Sequence, residues 1–301
     1  MIHPLVKSAA PLLAALLIPA ISAQEKKGEP AIPMDTHVLA TQGAAPAPGT
    51  TFTTTSIVTC QSLAMKLSSG GKDTEGTILK KETTVQSFEG LGPGKLRRTL
   101  ASNNSEGEVI LNGQKSHPPR KLDALLETPV ILTRDGAKWT AALEKSAPFE
   151  NQKSALASLE KAFTRDPAFA AYGNAPRKPG DKWNASLEAF CPEIFGEFAD
   201  AKKVEGTFTL EFVAVKQREN APCAHLKAVF DLKGTPKGSD EGTFTFKGEG
   251  EILRSLRDQV DIAWKYNATV NISDKGGADG SPAMQVSGPV TITGTTTVTR
   301  Q

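Results

Sequence analysis

From Gly206 to Arg300, apolar residues recur at every second position in one segment after another. This alternation constrains the fold more than any other feature of the chain. Side chains of an extended strand point to opposite faces in turn, so a segment with period two carries one apolar and one wet face. Phe208, Leu210 and Phe212 alternate with Thr207, Thr209 and Glu211, and Leu226, Ala228, Phe230 and Leu232 oppose His225, Lys227 and Asp231. Phe244, Phe246 and Ile252 share a side with Gly248 and Gly250, whose missing side chains predict a bend or a bulge. The longest run sets Val260, Ile262, Trp264, Tyr266, Ala268, Val270 and Ile272 against Gln259, Asp261, Lys265, Asn267, Thr269 and Asn271. The last sets Val290, Ile292 and Val298 against Thr291, Thr293, Thr297 and Thr299.

Short polar connections, such as Lys233 to Gly238 and Asp274 to Gly280, separate these runs. They join the strands most simply as an antiparallel meander. A less regular set of strands is expected over Thr51 to Leu67, Gly76 to Phe88, Lys95 to Ala101, Glu106 to Leu111 and Pro129 to Leu132, with a turn at Gly90 to Gly94. Between the two sets, Asn151 to Arg165 reads as a helix, with Leu156, Leu159 and Phe163 on one stripe, Asn151 as cap and Asp166-Pro167 as stop. The fold class is therefore mainly β (a β-rich α+β fold): a curved antiparallel sheet or meander, its apolar face covered by one or two helices.

The N-terminus has its own logic. Lys7 precedes the apolar stretch Pro11 to Ile18, and Ile21-Ser22-Ala23 leads into the polar Gln24 to Lys27. Those are the three regions of a cleavable signal peptide over residues 1–23, and the apolar core falls short of the roughly 20 residues a spanning helix needs. The chain is thus expected to be exported, to the periplasm or beyond. No cysteine follows the cleavage region to accept a lipid anchor. Residues 24–49, rich in Pro, Ala and Gly, read as a flexible leader. Residues 50–301 then form one β-rich domain, or two similar halves joined by the helical segment near 150–166.

A formal charge of +2, with both signs interleaved, leaves no electrostatic footprint for nucleic acid. No later stretch is long and apolar enough for a spanning helix. An outer-membrane barrel is disfavoured because barrels carry aromatic girdles and aromatics make up only 6% of this chain. Of Cys60, Cys191 and Cys223, two can pair in an oxidising compartment, or all three can be small buried hydrophobes; sequence does not choose.

No motif specifies chemistry. Cys223-Ala224-His225 offers two donors on one strand face, short of the three or four a zinc site uses. His117, between Ser116 and Pro118, reads as a loop residue, and no Gly-x-Ser-x-Gly elbow or Gly-rich phosphate loop is present. Glu193 and Glu197 beside Phe190, Phe195 and Phe198 form the most unusual acidic-aromatic cluster, which a partly buried helix or loop explains equally well. Neither catalytic residues, metal ligands nor a cofactor are assigned.

Pro176 to Trp183, with its Pro-x-x-x-Gly-Asp-x-Trp pattern followed by the meander, resembles an uncharacterised family of exported bacterial proteins, as does Thr128 to Phe163. The resemblance implies an exported, β-rich protein whose curved sheet wraps a helix, as in periplasmic lipoprotein carriers, and implies no activity.

The leading expectation is a non-catalytic structural or interaction module of the cell envelope, meeting an envelope protein through an exposed edge strand or a polar face. The alternative is a carrier or binder of a lipid or other hydrophobic ligand, held by the apolar face lined by Phe208, Phe212, Phe244, Phe246, Trp264 and Tyr266. A third reading is a hydrolase without a recognisable motif.

Overall fold

In a computed structural model of the chain, residues 35–117, 123–187, 204–218, 221–235, 242–276 and 282–301 are described. The signal segment, residues 24–34, Cys191 and the Glu193 and Glu197 cluster lie outside them. In chain order the elements are β1 (His37–Val38), β2 (Thr50–Ser69), β3 (Lys72–Gly92), β4 (Lys95–Leu111), β5 (Gln114–Ser116), β6 (Val130–Asp135), β7 (Lys138–Leu143), α1 (Glu150–Arg165), α2 (Pro167–Tyr172), β8 (Pro176–Arg177), β9 (Lys182–Asn184), β10 (Glu205–Arg218), β11 (Ala221–Gly234), β12 (Thr243–Ser255), β13 (Asp261–Asp274) and β14 (Ala283–Arg300).

Nearly all of these strands belong to one curved, open, antiparallel sheet of twelve strands in the order β7-β6-β4-β3-β2-β14-β13-β12-β11-β10-β9, with β5 added on β4. The expected C-terminal meander is present as β10 to β14, each strand pairing with the next. The N-terminal strands join the same sheet, because β14 returns to pair with β2 over almost its whole length, from Arg300 against Thr50 to Ala283 against Ser68. The segments expected at Lys95 to Ala101 and Glu106 to Leu111 fuse into β4, whose polar middle, Ser102 to Ser105, stays paired to β3. A ladder needs only backbone N–H and C=O groups, so a polar stretch does not interrupt it.

The helix lies where the stripe of Leu156, Leu159 and Phe163 places it, but Asn151 is not its cap. It begins after Phe149, whose backbone N–H donates to Gln152 Oε1 at 3.0 Å. Asp166 ends it in the left-handed region at φ 50°, and the Asp166 carboxylate accepts the Phe169 N–H at 3.1 Å, starting α2 at once with Pro167 in its first turn. Phe163 packs on Phe88 and edge-on to Trp139, while Leu156 joins Leu125 and Val130, so α1 covers the inner face of β4, β6 and β7. Tyr172 and Ala171 of α2 enter the large core of the C-terminal strands instead.

Gly248 and Gly250 do not make the expected bulge. Both stay in register, Gly248 opposite Phe230 and Gly250 opposite Tyr266, and Gly294 lies opposite Trp264 in the same way. A Cβ at Gly250 would run into the Tyr266 ring, and one at Gly294 into the indole of Trp264. These glycines let aromatic rings of neighbouring strands lie down on the sheet. The register shifts fall elsewhere, among them Phe212/Ala214 in β10 and Leu253/Arg254 in β12.

Within residues 35–49, whose composition reads as a leader, several residues are anchored to the fold. Leu39 and Ala40 are buried, β1 pairs with β8, and Arg134 Nη1 donates to the carbonyl of Gln42 at 3.1 Å.

A side chain at Gly294 would have to displace Trp264. Gly294→Val is expected to lower stability by about 1–3 kcal/mol, the range for overpacking a filled core, read as a fall in the urea midpoint with the slope unchanged.

Candidate ligand-binding face

Residues directly opposed in an antiparallel ladder point to the same side, so the register defines rows across the sheet. One row runs Phe212, Leu226, Ile252, Trp264 and Gly294; the next runs Leu210, Ala228, Gly250, Tyr266 and Ile292; a third runs Phe208, Phe230, Gly248, Ala268 and Val290. All lie on the face that α2 packs against.

Phe208, Phe212, Phe244, Phe246, Trp264 and Tyr266 share this face, and each is at most 7% exposed. They do not form one uniform group. Phe208 stacks on Phe230 at 5.6 Å, Phe230 stacks on Phe246 at 5.0 Å, and Tyr266 meets Phe208 and Phe230 edge-on at 6.3 and 5.7 Å. Phe230 is thus the hub of the aromatic cluster, a role its place in the β11 alternation could have indicated. Phe212 lies towards one rim, 6.1 Å from the ring of His37, and Phe244 sits opposite Ile272 and Gly234. Trp264 is 1% exposed, and among the described residues its indole N–H has no hydrogen-bond partner.

That rim is closed by a buried polar knot absent from the sequence reading. Arg254, 2% exposed, pairs with Asp261 at 2.6 Å, donates through Nε to the carbonyl of Leu39 at 2.7 Å and through Nη2 to that of Gln259. Its guanidinium lies 4.1 Å from the ring centre of Tyr172, and the Tyr172 hydroxyl donates to Asp261 at 2.9 Å. Burial, with the Asp261 charge beside it, pushes the Tyr172 phenol well above its usual range and keeps it a donor. Every arm of the guanidinium is used, which is what a buried cation requires. Arg254 reads as an unremarkable strand-end charge in sequence, because two of its partners, Leu39 and Tyr172, come from segments far away along the chain.

On the outer face, Cys223 packs with Leu253 and Ala263, while Cys60 belongs to the inner-face core, so these two thiols sit in separate clusters. Burial raises the Cys60 thiol, with Lys80 opposing and Glu82 adding to the effect. His225 stands beside Cys223 but faces Glu251 at 3.4 Å, and no group of three or more His, Cys, Asp and Glu among the described residues could hold a metal. The larger surface cleft described, about 360 Å³, lies away from the aromatic cluster, between β7 and α1, lined by Lys138, Trp139, Glu160, Lys161, Thr164 and Arg165.

The strands at the two ends of the sheet are short. β9 is three residues long. Along β7, the outward N–H of Trp139 donates to Thr164 Oγ1 at 3.1 Å and that of Ala141 to Glu160 Oε1 at 2.8 Å, so α1 occupies the edge with its own side chains. Among the described residues no helix is long and apolar enough to cross a membrane.

No family model and no curated protein matches the sequence. Solved structures give distant likenesses. The chain is similar to lipovitellin, in a structure of its lipid–protein interactions, with TM-score 0.42 and 9% identity over 84% of this chain. It spans about a quarter (26%) of that chain. It is also similar to the translocator domain of the autotransporter NalP from Neisseria meningitidis, with TM-score 0.18 and 10% identity over 83% of this chain and 88% of that one. A third likeness is to an outer-membrane lipoprotein-sorting protein domain from Vibrio parahaemolyticus, with TM-score 0.13 and 9% identity over 82% and 85%. These likenesses identify no specific family.

Two expectations follow. Arg254→Met leaves the half-buried Asp261 without its cation and should cost about 3 kcal/mol, the low end for a broken buried pair, with residues 37–43 becoming sensitive to limited proteolysis; Arg254→Met with Asp261→Leu should recover part of that loss in urea unfolding. For His225, burial lowers the folded pKa, helped by Lys216 and Lys227 and opposed by Glu251. The unfolded chain then binds the proton more readily, so stability is greatest above the unfolded value of about 6.5 and is lost as pH falls through it towards the depressed folded value. Urea midpoints between pH 8 and pH 5 should fall in the parent chain and flatten in His225→Gln.

Proposed function

We propose that this chain is an exported, non-catalytic binder and carrier of a lipid or other hydrophobic ligand, held against the inner face of its curved sheet. The observation that carries this reading is the composition of that face: apolar rows spanning β10 to β14, dense with aromatic rings, and including an indole N–H buried without a partner at Trp264. Aromatic walls with few polar groups are the usual lining of apolar ligand sites. An unsatisfied buried donor is a cost that a bound acceptor would remove.

The envelope-module reading finds no open edge at β7. A partner strand would need an open edge: β7 is capped by Thr164 and Glu160, whereas β9 pairs only Thr209 to Glu211 of the longer β10. Large hydrophobics exposed among the described residues, Val38, Phe149 and Val229, belong to separate elements and make no patch.

The test is native mass spectrometry of the protein isolated from its own host, followed by denaturing extraction. A released lipid or other apolar small molecule is the expected result, and Phe246→Ala should retain at least several-fold less of it. A bare-chain mass from membrane-containing extracts, unchanged after incubation with host lipid, would sink the carrier reading.

A further inference from the structure

The inner face is not apolar from edge to edge. Continued beyond β14, the row of Tyr266 and Ile292 runs through Val58 to Glu82 and Ser105, and the row of Ala268 and Val290 runs through Cys60 to Lys80 and Gly107. Lys80 and Glu82 therefore stand on the same side of the sheet as the aromatic cluster. Their charged groups are 2.8 Å apart, and Glu82 is only 5% exposed. The Cys60 thiol, on the inner face, feels both charges. On one side of them the face is polar, with Ser56 opposite Thr84, Thr84 opposite Asn103, and the Thr54 and Thr296 hydroxyls bonded at 3.0 Å, while on the other side Leu63, Ile78 and Val109 belong to the apolar core.

A second observation points the same way. Trp264, at the boundary between the apolar and polar parts, lies over Gly294, which pairs with Ser56. Its unpartnered N–H thus sits where an amphipath laid across the face would pass from chain to head. A half-buried cation beside a buried anion selects what it can receive. An anionic head would be repelled by Glu82 and a cationic one by Lys80, while a head carrying both signs leaves each charge opposed in a low-dielectric setting.

We propose that Lys80 and Glu82 receive the zwitterionic head of an amine-bearing phospholipid, Lys80 facing the phosphate and Glu82 the ammonium, with the acyl chains along the aromatic cluster. This rests on the carrier reading and adds the chemical class of its ligand.

The chain has three tryptophans, so Trp139→Phe with Trp183→Phe leaves Trp264 as the sole indole reporter. That protein would be titrated with vesicles of brominated-acyl phosphatidylethanolamine or brominated-acyl phosphatidylglycerol, whose bromines quench indole fluorescence on contact. The expected result is quenching at about tenfold lower phosphatidylethanolamine than phosphatidylglycerol, a difference of about 1.4 kcal/mol. Glu82→Gln should turn the preference towards phosphatidylglycerol, and Lys80→Met with Glu82→Gln should erase it while quenching persists. The same preference would be read by native mass spectrometry on the chain with its tryptophans intact, against an equimolar mixture of the two lipids. Equal quenching by both lipids, unchanged in the variants, would overturn the head assignment and leave the carrier reading standing. No quenching by either lipid would overturn both.

Discussion

The pairing of β14 with β2 is the interaction on which the rest of the structure depends. It joins the last strand of the chain to the first long one, and it turns an N-terminal group of strands and a C-terminal meander into a single sheet. The register of that pairing also aligns the rows of the inner face, carrying Ile292 onto Val58 and Val290 onto Cys60. A slip of one residue would send every inward side chain of one half to the outside. Because its partners are so far apart in sequence, this ladder forms against a large loop-closure cost and is expected to form late in folding.

With the halves fused, the inner face has to be covered, and the cover comes from the crossover between them. The chain leaves the sheet at β7, and α1 then does two things at once: its apolar stripe seals β4, β6 and β7, while Thr164 and Glu160 satisfy the free N–H groups of the edge. α2 continues inward, and Tyr172 meets Arg254 and Asp261 at the rim, where Leu39 is tied in through its carbonyl. The apolar rows thus end at a rim that is polar, hydrogen-bonded and held by residues from three separated stretches of chain.

Much of this was legible. The period-two runs gave the C-terminal strands and the side each residue faces, and the stripe in α1 gave a covering helix with its stop at Asp166-Pro167. β7 was missed although Trp139, Ala141 and Leu143 alternate, because the run is short and lies between turns. The six aromatic residues chosen from the pattern share one face, as the alternation requires, but Phe230 at the centre of the stacking was not singled out. Nor could period alone show that Lys80 and Glu82 share that face, since it required knowing which strand of the N-terminal set lies beside which residue of β2.

The sequence by itself determined the local quantities: strand period, which side of each strand is apolar, and the helix stripe. Only the tertiary structure decided that Gly250 and Gly294 serve as beds for Tyr266 and Trp264, that β2 and β14 are neighbours, and that Arg254 finds Asp261, Tyr172 and Leu39. The division has one physical cause. Backbone geometry alternates side chains within a strand regardless of context, whereas the partner across the ladder is chosen by the packing of the whole sheet.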